Sequence, residues 1–477
     1  MSRLSRAALA GLPASIAAPR GRGSITTGIV HFGPGAFHRA HQADYVDRLL
    51  DADPCWGIAA VSLRSRSTVE ALAAQDGFYT LAIRDAEPAM RVIGAHTAFL
   101  GPEDADRTRA LLAAPATRLV TTTVTEKGYC LAADGTLDFG HPDIVHDLAQ
   151  SRAPVSVIGW IVAGLAARRV AGVPPFVPMP CDNLASNGAK LHAALAAFAH
   201  RLDPALGDWV AGEVRVPSTM VDSITPASDD ALYAEVAAAL GVEDRAAVQR
   251  EAFAQWVIED IGGLPDLAAA GATLTADVGG YERAKLRILN GAHSTLAYAG
   301  LLRGHVSVAD AMGDAALAGF VDAMICQDVI PTLPSVPGLD LDDYADAVLR
   351  RFANPAIVHR LDQIAQDGSQ KLPYRLGDTL LANRAIGRMP RHVVAALGAW
   401  VAFVMRRARS RETIIDPAGE RLAILASAES PAQVVDRLIA EGVGIPAATA
   451  GDHELVAAMR GAAEDAFRGE IFPVMSA

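Results

Sequence analysis

The sequence predicts an α/β protein: a doubly wound, mostly parallel sheet followed by an all-helical C-terminal domain. Three observations carry this. From residue 25 onward, short β-branched runs alternate with Ala/Leu-rich stretches. The strand-like runs are continuously apolar, as strands buried on both faces are. Beyond about residue 278 they give way to long Ala/Leu segments. At 477 residues the chain exceeds one ordinary core, and its 51% hydrophobic and 20% charged residues suit two large ones.

Strands are expected at 29–32, 57–63, 79–83, 118–124, 176–179 and 214–221, with helices at 38–50, 154–171 and 187–201. The glycine-rich segment 261–280 is the expected hinge. The expected organisation is therefore a leader at 1–24, a sheet domain at 25–278 and a helical domain at 279–477. No acid precedes Asp44, while Arg3, Arg6, Arg20 and Arg22 do, which raises the question of a targeting peptide. Gly11 and Pro13 break the apolar stretch after Arg6, so a short leader helix and loop are expected instead. No apolar run is read as reaching the roughly 18 residues of a membrane span. A formal net charge of −12 argues against nucleic acid or an anionic membrane as partner. Cys55, Cys130, Cys181 and Cys326 lie far apart, which fits a reducing cytoplasm and no structural metal site.

The first strand runs into Phe32-Gly33-Pro-Gly35-Ala36-Phe37-His38-Arg39-Ala-His41. Gly33 permits a tight turn, and Gly35 lets backbone approach a pyrophosphate at a helix N-terminus. This is a Rossmann-like dinucleotide signal, and Phe32, Gly33, Gly35, Ala36 and Phe37 are its candidate cofactor residues. His38 stands where the third glycine of the fingerprint usually falls. His38, Arg39 and His41 offer either cationic support or packing, and packing is favoured for two of them. An acid for the ribose diol is expected after the second strand, yet Arg64-Ser65-Arg66 stands there. Arg64 could hold a 2′-phosphate, so NADP is the alternative to NAD. Solvated surface arginines are the other reading.

Three strand ends carry polar residues, where open α/β sheets bind ligands. Glu126 could relay protons to solvent, pair with Lys127 or cap a helix. Asn183 could donate an amide N–H to a substrate oxygen, while Ser186 or Asn187 suits an N-cap. Asp222 could bind substrate hydroxyls or simply terminate its strand. In the helical domain, the proline-free run 281–302 reads as a largely buried helix. It holds Lys285-x4-Asn290-x2-His293. At about 100° per residue these sit at roughly 0°, 140° and 80° on one face. Burial favours an uncharged amine, which is a usable general base near neutral pH. A snorkelling lysine beside a capped histidine is the plainer alternative. Finally, Asp367-Gly-Ser369-Gln-Lys371-Leu-Pro373-Tyr-Arg375 is read as a loop presenting two cations, either to a carboxylate or as an ordinary turn.

Together these pieces resemble the long-chain polyol dehydrogenases, the mannitol 2-dehydrogenase and fructuronate reductase family. The resemblance rests on Gly33-x-Gly35-Ala-Phe-His-Arg-Ala-His, Thr125-Glu-Lys-Gly-Tyr129, Cys181-Asp-Asn183, Val221-Asp222, Lys285-x4-Asn290-x2-His293 and Asp367-Gly-Ser-Gln-Lys371-Leu-Pro, in family order. It implies metal-independent hydride transfer between nicotinamide and a secondary carbinol carbon. By that resemblance Lys285 is the general acid/base, and Asn290 and Asn183 hold the developing oxyanion. His293 orients the reacting hydroxyl, Glu126 links Lys285 to solvent, and Asp222 and Lys371 read distal substrate groups. Lys371 and Arg375 would also suit a sugar-acid carboxylate. Reduction of D-fructuronate to D-mannonate is the favoured expectation. Mannitol/fructose interconversion or another polyol or hexonate is the alternative, and a non-catalytic dinucleotide sensor the different class. The chain departs from the family at Ser223, where an arginine is usual after Val-Asp, and at the missing acid after the second strand. Monomer and homodimer both fit.

Overall fold

The computed structural model describes residues 2–356, 359–428 and 430–471. The chain divides into two compact units, Met1–Val278 and Gly279–Ala477. Strands of the first unit are β1 (Thr27–Phe32), β2 (Gly57–Val61), β3 (Tyr79–Arg84), β4 (Ala89–Ile93), β5 (His96–Leu100) and β6 (Leu119–Thr122). They continue with β7 (Val177–Pro180), β8 (Thr219–Asp222), β9 (Val248–Glu251), β10 (Gln255–Glu259) and β11 (Thr273–Thr275).

The main sheet has the order β5-β2-β1-β6-β7, and every neighbouring pair in it is parallel. Residues of β1 alternate between two cores. Val30 and Phe32 pack with the helices Val157–Ala171 and Asn187–Leu202, and Ile29 with the helix Gln42–Leu49. Ile29, Val30 and Phe32 are each at most 2% exposed, and burial of such a side chain contributes about 1.5–3 kcal/mol. Both faces are thus covered, which is why these strands read as continuously apolar.

Several expectations need correction. The 79–83 run does form a strand, β3, but outside the main sheet: it pairs with β4 antiparallel and β9 parallel. The expected 214–221 strand shortens to β8, in a third sheet with β10 and β11. The edge strand β5 was not foreseen. Its burial pattern is mixed, as an edge position allows. The expected helix at 38–50 is two helices, Ala36–Ala40 and Gln42–Leu49, broken at His41. Most of the expected hinge packs in the first unit, where β11 pairs with β10.

The basic N-terminal segment is used internally. Leu4, Leu9, Leu12 and Ile16 are buried with Phe78, Val92 and Val236. The Arg20 guanidinium donates to the carbonyls of Leu9, Leu12, Pro13 and Ile16. Arg22 joins a buried ion cluster in which Asp47 also meets Arg91 at 2.7 Å. Beside it, Asp44 meets Arg48, Arg91 and Arg250 at 2.7, 2.9 and 3.0 Å.

In the second unit, Val278–Ala284 leads through a π-helical turn at Lys285–Asn290 into the helix Gly291–Leu302. Residues 291–300 are all buried, as the run's composition implied. The helix Arg391–Arg409 packs against it and against His453–Arg468. One continuous stretch, Ala315–Thr332, is long and apolar enough to cross a membrane by length and composition, which corrects the reading that none exists. Its Asp328 accepts the His392 and Val393 N–H groups at 2.8 and 3.0 Å, capping the helix Arg391–Arg409 within this unit.

Candidate active site

Gly33 follows β1 with φ +89°, and a Cβ there would lie 2.2 Å from the Thr123 carbonyl oxygen. Only glycine fits that turn. Its N–H donates to Val61 (3.0 Å), and its carbonyl accepts from Gly35 N–H and from the Thr123 hydroxyl, both at 2.7 Å. Gly35 precedes the helix Ala36–Ala40, and a Cβ there would meet nothing nearer than 3.9 Å, so the backbone is open to a ligand. Beyond the ends of β1, β2 and β6 lies a cleft lined by Gly33, Ser62, Leu63, Arg64, Val124, Gly128, Asp143 and Val157. The chain reverses its direction of sheet growth between β1 and β6, so this is the topological switch point. These features fit a dinucleotide.

A stack of imidazoles supports the loop. His31 and His38 lie 3.4 Å apart between ring centroids at 15°, and His38 Nε2 meets His96 Nε2 at 3.1 Å. His31 Nδ1 meets the Thr121 hydroxyl (2.7 Å), while Nε2 faces the Gly33 carbonyl (3.2 Å) and the Thr123 hydroxyl (3.0 Å). A carbonyl only accepts, which places the proton on Nε2. Burial pushes His31 and His96 down to about 3 and His41 to about 4, and His38 falls well below its usual value. The stack is therefore neutral. His38, Arg39 and His41 are all packing residues: Arg39 donates to the Ala246 carbonyl at 2.5 Å, and His41 Nε2 meets the Gln255 carbonyl at 2.9 Å. The Phe32 ring is buried in the core, so only its backbone borders the loop, and Phe37 stacks on His41.

Arg64 forms an ion pair with Asp143, while Arg66 pairs with Glu70 and Glu103. Both side chains are at least half exposed, so each is a surface arginine, but one with a carboxylate partner. Glu126 opens a 3-10 turn, Glu126–Tyr129, and is exposed, as is Asn183 after β7. Asp222 is buried at the end of β8, within electrostatic reach of His41. Sequence reasoning passed over Asp182. Its carboxylate accepts from Val124 N–H (3.0 Å), Thr125 N–H (2.8 Å) and Tyr129 O–H (2.6 Å). It thereby holds Thr125 at φ +66°, a conformation costly for a β-branched residue. Burial lifts the Asp182 pKa despite those three donors.

In the second unit Lys285, Asn290 and His293 are 8%, 8% and 7% exposed. The π turn starts at Lys285 and ends at Asn290, so the uniform α-helix assumed from sequence is corrected. His293 stacks on Phe352 at 4.2 Å and meets His359 edge-on at 5.0 Å. Its buried Nε2 has no hydrogen-bond partner among the described residues. Burial, then His359, Arg351 and Arg375, keep this imidazole neutral far below its usual range.

The expected cationic loop is helical instead: Gly368–Leu372 continues through another π turn, Pro373–Gly377. Pro373 has no N–H to give an α-turn, and the wider turn accommodates it. Arg375 donates to the Ser294 hydroxyl at 3.1 Å, next to His293. Lys371 donates to the Gln366 carbonyl at 2.9 Å and lies 3.5 Å from Asp367. Burial and then Arg375 lower the Lys371 pKa, while burial lowers that of Arg375. Lys285, Asn290, His293 and the two cations thus belong to one packed region of this unit.

One cluster was not foreseen. Cys130, His141 and Asp143 bring their ligand atoms within 4.8 Å of one another. Two features oppose a cation there. Asp143 already holds Arg64, and burial lifts the Cys130 thiol to about 11. The four cysteines are free.

Residues 27–268 match the mannitol dehydrogenase Rossmann domain, and residues 277–459 the mannitol dehydrogenase C-terminal domain. The chain is 43% identical to D-mannonate oxidoreductase of Escherichia coli (strain K12), over 79% of each sequence. It is similar to the crystal structure of a D-sorbitol dehydrogenase in substrate-free form, with TM-score 0.92, 31% identity and 98% and 99% of the two chains covered. It is also similar to Pseudomonas fluorescens mannitol 2-dehydrogenase in ternary complex with NAD and D-mannitol, with TM-score 0.82, 35% identity and 98% of each chain covered.

Proposed function

We propose that this chain, which belongs to the mannitol dehydrogenase family, interconverts D-fructuronate and D-mannonate with NAD. It is an oxidoreductase acting on CH–OH groups of a polyol or hexonate. One observation supports the site best. A lysine, a carboxamide and an imidazole with an unpartnered nitrogen share one buried helix, beside two cations. A hydrophobic core has no use for such a set, whereas a carbinol or ketone has. The uronate is favoured over mannitol by Arg375 and Lys371, which together suit a carboxylate, and by the D-mannonate oxidoreductase relative.

When bound, the nicotinamide supplies the hydride acceptor for oxidation and the donor for reduction. Gly33, Gly35 and the helix start at Ala36 would hold the pyrophosphate, with the neutral histidine stack keeping the loop in place. In alcohol oxidation Lys285 Nζ takes the hydroxyl proton as the carbon gives up hydride, and in reduction it returns that proton to the oxygen. Asn290 donates its amide N–H to that oxygen as charge develops, a contribution of several kcal/mol in known cases. Asn183 is assigned the same task, and Glu126 the exchange of the Lys285 proton with solvent. His293 Nε2 orients the reacting hydroxyl, and Asp222 reads a distal one. The proposal includes a cytoplasmic enzyme, monomer or homodimer, which the scattered free cysteines support. Initial rates with fructuronate, tagaturonate, fructose and xylulose, against NADH and NADPH, test the assignment. Faster turnover of fructose than of fructuronate would transfer it to mannitol.

A further inference from the structure

The carboxylate that a dinucleotide site usually carries after its second strand is absent here, and two arginines stand in its place. Taken alone they would favour a 2′-phosphate. Each, however, is already committed to an acid. Arg66 lies between Glu70 and Glu103, outside the cleft lining. Arg64 lines the cleft together with Gly33 and Asp143, and Asp143 is its ion-pair partner. Asp143 sits in the first turn of the helix Pro142–Ala149, and its own N–H donates to His141 Nδ1 at 3.2 Å. Arg64 and Asp143, the charged side chains lining the cleft among the described residues, therefore sum to no net charge, with an anionic oxygen beside the guanidinium.

We propose that Asp143 is the specificity-determining residue that selects NAD against NADP, by neutralising Arg64 and repelling a 2′-phosphate. The carboxylate comes from a helix far along the chain rather than from the second strand. The proposal rests on the dinucleotide reading of the cleft. A phosphate dianion entering here must either displace Asp143 from Arg64 or sit against a like charge, whereas a ribose diol does neither. One unit charge at about 4 Å, partly screened by solvent, changes affinity by roughly tenfold.

Binding is the readout, by titration of protein fluorescence with NADH and NADPH, and by calorimetry with 5′-AMP and 2′,5′-ADP. In Asp143→Asn, NADPH and 2′,5′-ADP should bind about tenfold tighter, while NADH and 5′-AMP change less than about threefold. The gain should vanish in the double variant Arg64→Gln/Asp143→Asn. Arg64→Gln alone, an exposed substitution, should weaken NADPH further and leave NADH nearly unmoved. Equal shifts for both cofactors in Asp143→Asn, or a gain that survives loss of Arg64, would overturn the assignment. Failure of the unsubstituted protein to bind either reduced cofactor would instead strike the dinucleotide reading beneath it.

Discussion

Acidification should unfold the first unit well before the carboxylates titrate, because its glycine loop stands on neutral imidazoles. His31 and His96 have pKa values near 3 in the folded protein and His41 near 4, all from burial. In the unfolded chain each returns to about 6.5. A histidine whose folded pKa is depressed binds more protons unfolded than folded. Its contribution is fully present above pH 6.5 and is lost as pH falls through the interval down to the folded value. Each such group removes about 1.4 kcal/mol per pH unit in that interval. From pH 6.5 to 5 that is roughly 2 kcal/mol apiece, or about 6 kcal/mol for the three. His38 adds in the same direction. Asp182 and Asp244 act oppositely, since burial raises both, but only as pH approaches the carboxylate range. A loss of that size is comparable with the whole stability of a typical domain.

The assay is urea unfolding at half-unit steps from pH 8 to 5 in a Trp400→Phe background. The remaining tryptophans, Trp56, Trp160, Trp209 and Trp256, then all lie in the first unit. The slope of unfolding free energy against pH counts protons taken up on unfolding. Between pH 6.5 and 5 it should approach about four, His38 included, and fall by about one in His96→Gln. An uptake below one in the unsubstituted protein would mean that the stack is charged or solvated, and would refute this reasoning.

Replacing Lys285 by alanine should lower kcat by about 10²–10⁴-fold and leave the NADH dissociation constant nearly unchanged. Near-normal turnover would remove it as the acid/base. Lys371→Met should cost a uronate substrate about 10–100-fold in kcat/KM, the worth of one charge-assisted contact, and fructose much less. The reverse ranking would disprove the carboxylate assignment. Asp44→Ala leaves Arg250, whose side chain is 3% exposed, without its carboxylate, and should lower stability by about 3–5 kcal/mol in urea unfolding. A loss under about 1 kcal/mol would show the cluster to be solvated.

The residues that sequence made legible are those whose partners are close in the chain or whose backbone needs are absolute. Gly33 announces a positive φ, continuous apolar runs announce a sheet covered on both faces, and Lys285, Asn290 and His293 lie on one helix. What stayed hidden depends on long-range pairing. The stack joins His31 and His38 to His96, 58 residues beyond His38, and Arg64 finds Asp143 79 residues away. Asp182 reads as an ordinary strand-end acid until Val124, Thr125 and Tyr129 fold onto it. The small sheets were missed for a related reason. β9 and β11 are only 4 and 3 residues long, and such runs become strands only when a partner meets them.

The π turn changes the geometry in the sense that the proposed chemistry requires. On a uniform α-helix the eight-residue step from Lys285 to His293 rotates the side chain by roughly 80°. A π turn absorbs about one extra residue, so the same step turns like seven residues, leaving an offset of about 20°. Amine and imidazole then lie along nearly one stripe, separated mainly along the axis, with the carboxamide at the end of the turn between them. Such a turn sacrifices helix geometry, and packing must hold it. Gly291, the residue after Asn290, meets the π turn Pro373–Gly377 there: a Cβ on it would lie 3.1 Å from the Arg375 carbonyl oxygen. The two irregular turns therefore interlock at a glycine, and the backbone that aligns Lys285 with His293 also fixes Arg375 beside Ser294. The proposed proton acceptor, hydroxyl-orienting ring and cation are thus set by one piece of irregular backbone rather than by three independent side-chain choices.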